Sequence, residues 1–279
     1  MPFADQPTIK AGGAEIPLLG FGTWMLESDE ARRMTAAAID IGYRHIDTAW
    51  IYRNEAAVGQ GLRDSGVARD DVFVTTKIWV QHFRDGDLQR QAEESAQSLG
   101  FTPDLLLLHW PKSTPPMAET IRALNDATER GLTRHIGVSN FPSAQFRQAA
   151  ALSEAPLVTN QVEHHPYLSI DTLKAVARDL GSSITAWSPL AQGKIADDDV
   201  LAGIARAHGK TPGQVTLRWL IQNGVIAIPR TTKESRAKEN FNVFDFTLSA
   251  DEIARIDGLA RADGRLGDWI DPEFQWDQA

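Results

Sequence analysis

Short apolar runs recur along the chain, each closing on a polar or aromatic residue before a loop and a helical pattern begin. They span residues 18–22, 43–47, 72–77, 105–109, 135–139, 157–161, 184–187 and 225–228, eight in all. Their spacing is mostly about 25 to 35 residues, the size of one strand-helix unit. The runs are apolar at consecutive positions, as in "DLLLLH", which suits strands covered on both faces in a parallel sheet. Between them the pattern predicts helices. One spans 30–41, with Ser28 as its N-cap, and one spans 54–65, stopping near Gly66. Thr211-Pro212-Gly213-Gln214 has the form of a capping box and opens a helix carrying Trp219. That helix and another near 200–208 both lie between the seventh and eighth runs. Residues 9–16, interrupted by Ala11-Gly12-Gly13, predict a β-hairpin ahead of the first barrel strand.

Eight such units predict an α/β fold, a (β/α)8 barrel with an N-terminal β-hairpin across its bottom. No linker rich in Pro, Gly or Ser divides the chain, so residues 1–279 are expected to form one domain. The competing architecture is an open doubly wound sheet, whose dinucleotide fingerprint would sit at the first turn. Gly20-Phe21-Gly22 is there, but Met25 stands where the third glycine would be.

Composition narrows the chemistry. Hydrophobic residues make up 42% and charged residues 23%, ordinary for a globular chain. A net charge of −9 argues against nucleic acid as the main partner, while leaving room for a local basic pocket. There is no cysteine, which excludes disulfides, thiolate nucleophiles and cysteine-ligated metals. The opening MPFADQPTIK lacks the form of a signal peptide, and no apolar stretch approaches a membrane span. The expectation is a cytoplasmic protein with no membrane partner.

In a barrel, function gathers at the C-terminal ends of the strands. Those ends carry Asp47, Lys77, His109, Ser139-Asn140, Gln161, Trp187-Ser188 and Arg230. Any one alone reads as an ordinary structural polar group; together they face one mouth. Tyr52 follows Asp47 by five residues. A tyrosine that exchanges a proton near neutrality needs a neighbouring cation to favour its phenolate, and Lys77 is the expected source. A buried lysine needs a counter-ion, for which Asp47 is placed. His109 completes the set as a hydrogen-bond donor to a substrate oxygen. Glu163, His164 and His165 invite a metal reading. Neighbouring strand residues point to opposite faces, however, so these are expected to be structural, and no metal is called for.

The stretch "GYRHIDTAWIYRNEAAVGQGL" resembles the aldo-keto reductase signature. "VTTKIW" and "LLLLHWP" resemble the segments bearing that family's catalytic Lys and His. "GLTRHIGVSNF", "NQVEHHPY" and "IPRTTKESRAKENF" are similar to further family blocks, and the resemblance runs from Leu18 to Asn240. It is nearest to the bacterial branch that includes 2,5-diketo-gluconate and methylglyoxal reductases.

The resemblance implies NADPH-dependent reduction of the carbonyl of small aldehydes, ketones or keto sugars. It implies a tetrad of Asp47, Tyr52, Lys77 and His109, with Tyr52 as proton donor. It places Ser139, Asn140 and Gln161 at the nicotinamide carboxamide and Trp187, where many relatives have Tyr, against the nicotinamide ring. Ser188, Leu190, Gln192 and Gly193 would lie along the pyrophosphate. Arg230, Thr231, Thr232 and Arg236 would grip the adenosine 2′-phosphate, and Glu239 and Asn240 would contact adenine. Arg230 stands where many relatives have Lys; with Lys233 and Arg236 it makes a basic cluster that favours NADP(H) over NAD(H). The resemblance also implies a monomer.

Trp50, Trp79 and Trp110 lie just beyond strand ends and, with Trp24, are the candidate substrate wall; Phe21 and Phe141 are further candidates, Phe141 equally a core residue. Two placements are open for the tail bearing Trp269, Phe274 and Trp276: over the mouth, or on the side of the barrel. Two other functions remain: a barrel lyase or isomerase using Lys77 as a Schiff-base amine, and a non-enzymatic sensor of NADP(H).

Overall fold

The computed structural model describes residues 6–267 and 271–277. Eight parallel strands form the barrel: β3 (Phe21–Gly22), β4 (His45–Asp47), β5 (Phe73–Ile78), β6 (Leu105–Leu108), β7 (His135–Ser139), β8 (Leu157–Glu163), β9 (Ser183–Trp187) and β10 (Ile226–Ala227). They are hydrogen-bonded in sequence order, as expected of repeated right-handed strand-helix-strand units. Closure comes from the ends: Leu19 bridges Ala227, Gly20 N–H donates to the Ala227 carbonyl at 2.8 Å, and Gly22 N–H to that of Pro229 at 3.0 Å. Every residue of β5, β6 and β8 is buried, because side chains fill the barrel on one face and meet helices on the other.

Helices α1 (Ser28–Ile41), α2 (Glu55–Asp64), α3 (Asp87–Leu99), α4 (Met117–Glu129), α5 (Ser143–Leu152), α6 (Asp171–Asp179), α7 (Asp199–His208), α8 (Pro212–Gln222) and α9 (Glu234–Phe241) follow the strands in turn, with α7 and α8 both between β9 and β10, and α10 (Ala250–Asp257) comes last. In α1 the buried positions are Ala31, Met34, Thr35, Ala38 and Ile39, the helical stripe that faces a sheet. Ser28 is not its cap. Glu27 holds the N-cap position, and its carbonyl accepts Ala31 N–H, so the helix begins at Ser28, two residues before the predicted start. Thr211 does cap α8, with Gln214 returning the bond in a full capping box. Among the described residues no helix is long and apolar enough to cross a membrane.

The hairpin pairs β1 (Thr8–Ala11) with β2 (Ala14–Pro17). Gly12 and Gly13 turn it with φ of 53° and 87°, values that suit glycine. Gly12 N–H donates to the Gly181 carbonyl and Leu18 N–H to that of Pro7, which seats the hairpin at the N-terminal ends of the strands. The opposite end is left open.

Candidate active site

At that open end Lys77, on β5, is fully buried. Its Nζ donates to Asp47 Oδ1 of β4 at 2.6 Å and to the Thr48 carbonyl at 2.9 Å, and lies 3.5 Å from the Tyr52 hydroxyl. Tyr52 closes a short 3-10 turn, Trp50–Tyr52, after β4. Its ring meets that of His109 edge-on, centroids 5.7 Å apart, and Trp79 also meets His109 edge-on at 5.2 Å. The four polar residues expected to act together are therefore brought together.

Their electrostatics differ from the sequence expectation in one respect. Lys77 was expected to favour the Tyr52 phenolate. Instead Tyr52 is held well above the ordinary tyrosine range, because burial penalises the phenolate and Asp47 adds a negative charge. Lys77 faces Asp47 more closely than it faces the phenol, so the pair presents little net positive charge to Tyr52. Lys77 itself is pushed below its usual value by burial, opposed by Asp47. His109 is held well below the usual histidine range by burial and then by Lys77, so it is neutral. The group is thus a phenol, a neutral imidazole and a buried ion pair.

Ser139, Asn140 and Gln161 are buried at the ends of β7 and β8, and their polar groups bond one another. Gln161 Nε2 donates to Asp47 Oδ2 at 2.7 Å, Ser139 Oγ donates to the Gln161 carbonyl at 2.8 Å, and Asn140 Nδ2 donates to the His109 carbonyl at 3.0 Å. The Trp187 indole nitrogen donates to Asn140 Oδ1 at 2.8 Å. Beyond it Ser188 and Leu190 are half-buried, and Gln192 and Gly193 stand exposed. Arg230, Lys233 and Arg236 are exposed, with Thr231 and Thr232 half-buried. Arg230 Nε donates to the Trp24 carbonyl at 2.9 Å, and Arg236 pairs with Glu239 at 3.1 Å. Asn240 is buried.

Among the tryptophans, Trp24 is 52% exposed on the loop after β3, and Trp50, Trp79 and Trp110 are half-buried. Phe21 and Phe141 are core residues instead. The tail crosses the mouth. Trp276 meets Trp110 at 6.1 Å, Asp277 accepts Ser143 Oγ–H at 2.7 Å, and Asp271 pairs with Lys112 at 3.2 Å. Trp269 lies outside the described residues.

Two contributors, Asn54 and Arg33, went unread in the sequence, and a third, Glu163, was read only as structural. Asn54 Nδ2 donates to the carbonyls of Thr23 and Leu26 while Oδ1 accepts from Thr48, which pins the loop carrying Trp24. Arg33 of α1 donates to the Thr232 carbonyl and pairs with Glu234. Glu163 holds the tail, as set out below. The Asn54 position, buried next to a signature tyrosine, offered some signal; Arg33, about 200 residues from its partners, offered none.

The description "Aldo/keto reductase family" matches residues 18–261. The chain belongs to the aldo/keto reductase family. It is 40% identical over 270 residues to the glyoxal reductase of Bacillus subtilis, covering 96% of this chain and 97% of that one. A crystal structure assigned by name to a 2,5-diketo-D-gluconic acid reductase B superposes with a TM-score of 0.95 at 46% identity, covering 98% of both chains. A Gox0644 variant in complex with NADPH superposes with a TM-score of 0.88 at 35% identity, covering 94% of this chain and 97% of that one. This reductase is accordingly an NADP-dependent oxidoreductase.

The residues at the mouth suit that cofactor. Six described non-glycine residues carry left-handed φ: Met25, Arg53, Asn140, Ser188, Ala191 and Gln192. All six stand on segments that follow barrel strands at the open end, Ala191 and Gln192 at the start of the 3-10 turn Ala191–Asp197. Such backbone costs about 1–3 kcal/mol per residue and persists where function requires it. The exposed arginines and half-buried hydroxyls after β10 are the kind of charge and donors a phosphate needs, on an otherwise acidic chain.

Proposed function

We propose that this reductase converts the carbonyl of small aldehydes, ketones or keto sugars to the alcohol, with Tyr52 as the proton donor. The observation that carries the reading is the placement of the Tyr52 hydroxyl, 3.5 Å from a lysine that is itself locked to Asp47, with the neutral ring of His109 alongside. Bound NADPH supplies the hydride. Tyr52 gives its proton to the oxygen that becomes the hydroxyl. His109, neutral at physiological pH, donates a hydrogen bond to the same oxygen and fixes the carbonyl's orientation. Lys77 Nζ, 3.5 Å from the phenol oxygen, is the cation that then faces the phenolate left behind, and solvent returns the proton. Trp50, Trp79, Trp110 and Trp24 form the apolar wall that receives the rest of the substrate.

For the cofactor, Ser139, Asn140 and Gln161 hold the carboxamide and Trp187 stacks on the nicotinamide. Ser188, Leu190, Gln192 and Gly193 follow the pyrophosphate. Arg230, Thr231, Thr232 and Arg236 take the 2′-phosphate, and Glu239 and Asn240 the adenine. A Schiff-base role for Lys77 fits less well, since its amine is buried and ion-paired. The test is consumption of NADPH with glyoxal. The parent enzyme should turn over, and Tyr52→Phe should lose about 10²- to 10⁴-fold in kcat, the usual worth of a general acid. A variant retaining more than about a tenth of the parent rate would remove Tyr52 from the role.

A further inference from the structure

Glu163 ends β8 with its carboxylate fully buried, and none of the roles above uses it. Strand alternation puts it on the face shared by Gln161, whose amide touches Asp47. Its two oxygens accept the backbone N–H groups of Leu266, at 2.7 Å, and Gly267, at 2.9 Å. His165 Nε2 lies 2.9 Å from the first oxygen and Arg265 Nη1 3.9 Å from the second. A buried carboxylate is costly unless such bonds satisfy it, and charge-assisted bonds of this kind are the strong ones. Here its direct backbone donors belong to the tail.

The tail also fits there by shape. A Cβ on Gly264 would fall 1.7 Å from the Tyr167 carbonyl oxygen, and one on Gly267 2.5 Å from Cη2 of Trp187. The strap backbone therefore lies against Tyr167 at Gly264 and, at Gly267, against the edge of the same indole whose nitrogen bonds Asn140. On its far side Arg265 stacks 3.9 Å over Trp276, which carries the strap on toward Trp110.

The geometry points to Glu163 as the positioning residue that clamps this strap against Trp187 and thereby holds the indole in place for the cofactor. The inference rests on the proposed stacking of Trp187 on the nicotinamide. With the clamp intact, the ring is bounded by the strap at one edge and by Asn140 at its nitrogen. With the clamp loosened, the strap no longer bounds that edge, while the bond to Asn140 remains.

Calorimetric dissociation constants for NADPH test this in the parent, Glu163→Gln, Gly267→Ala, Trp187→Ala and the Glu163→Gln/Trp187→Ala double variant. Glutamine keeps the size of Glu163 but offers one acceptor and turns an amide donor toward the strap. Glu163→Gln should raise Kd about three- to tenfold, the worth of one such bond. Gly267→Ala should raise Kd with Glu163 untouched, by crowding the ring. In the Trp187→Ala background Glu163→Gln should add less than about twofold, since coupled residues are not additive. Trypsin should also cut native Glu163→Gln after Arg261 or Arg265 faster than it cuts the parent. The inference is overturned if Glu163→Gln and Gly267→Ala both bind like the parent while Trp187→Ala binds weakly. It is equally overturned if the Glu163→Gln effect persists undiminished without Trp187, which would mark Glu163 as a fold support. Trp187→Ala binding like the parent is a separate signature: the stacking assignment fails, and the inference with it. Should Glu163→Gln not fold, Gly267→Ala with and without Trp187→Ala completes the same cycle.

Discussion

The indole nitrogen of Trp187 donates to Asn140 Oδ1 at 2.8 Å, joining the end of β9 to the loop after β7. Asn140 passes the link on, because its own amide donates to the His109 carbonyl at 3.0 Å. The proposed stacking ring and the proposed carbonyl-orienting histidine are thus two bonds apart. A tyrosine or phenylalanine at the Trp187 position would keep an aromatic face but change this connection.

Trp187→Phe isolates that hydrogen bond from the ring. A neutral bond of this kind contributes about 1 kcal/mol, and aromatic contact adds a similar amount beyond area burial. The Kd for NADPH should therefore rise a few-fold in Trp187→Phe and further in Trp187→Ala. Equal weakening in the two variants would mean that the hydrogen bond, and not the ring, carries the affinity.

The protonation states at the site fix the sign of a pH profile. Tyr52 is raised well above the tyrosine range, so its acid form persists to higher pH than a free phenol's. His109 is lowered well below the histidine range, so it stays neutral until the solution is distinctly acidic. Neither group should change charge between about pH 6 and pH 8, given ordinary values near 6.5 and 10. For the parent enzyme, kcat/KM for carbonyl reduction should be level across that window. A midpoint inside it that Tyr52→Phe or His109→Gln moves would contradict the assignment.

His164 bears on stability instead. Burial and Lys174 lower it to about 3, and its Nδ1–H donates to the Leu168 carbonyl at 3.0 Å. The folded protein keeps it neutral, whereas the unfolded chain takes up a proton below about pH 6.5. Stability therefore falls as pH drops through that value, by about 1.4 kcal/mol per unit for this one group, until the folded state also protonates. His164→Asn retains a donor for Leu168 and cannot titrate. Between pH 6 and 4.5 its unfolding free energy, measured in urea, should fall less steeply than the parent's by about that amount per unit. Parallel slopes would show that His164 is not a coupled proton site.

The barrel strands were legible because burial on both faces leaves long apolar runs that nothing else in a chain of this composition produces. Their ends were less so. Residues 18–22 read as one run, yet Leu18 and Leu19 reach Ala227 through single bonds and a bridge, leaving Phe21–Gly22 as the ladder. At the site, Asp47, Lys77 and His109 announce themselves by ending apolar runs, and Tyr52 by standing five residues beyond Asp47. What local pattern does not encode is how deeply the phenol is buried and which charge lies nearest it: burial first, and then Asp47, hold Tyr52 above the ordinary range, while Lys77 is bonded to Asp47. Nor does it encode closure over distance. Glu163 looked like one member of an idle Glu-His-His string, and its meaning came from amides more than a hundred residues away.

Arg236 offers the sharpest test of cofactor choice, because its present partner is known. Its Nη1 pairs with Glu239 at 3.1 Å while 57% of the arginine side chain is exposed, and Glu239 also accepts from Thr211 Oγ1 at 2.9 Å. An exposed pair of this kind contributes at most about 1 kcal/mol, whereas a charge-assisted bond to a phosphate contributes about 1.5–3 kcal/mol. The exchange from carboxylate to phosphate is therefore favourable, and Glu239 can keep Thr211 when Arg236 turns away. Arg230 is differently placed: its Nε holds the Trp24 carbonyl, so its loss would disturb the substrate loop as well as the phosphate segment. Arg236→Ala should raise the Kd for NADPH about tenfold or more, one decade being about 1.4 kcal/mol. Affinity for NADH, which has no 2′-phosphate, should stay within about twofold. Dissociation constants for both cofactors decide the matter. Equal weakening of NADPH and NADH would show that Arg236 supports the fold of α9, and phosphate selection would then fall to Arg230 and Lys233.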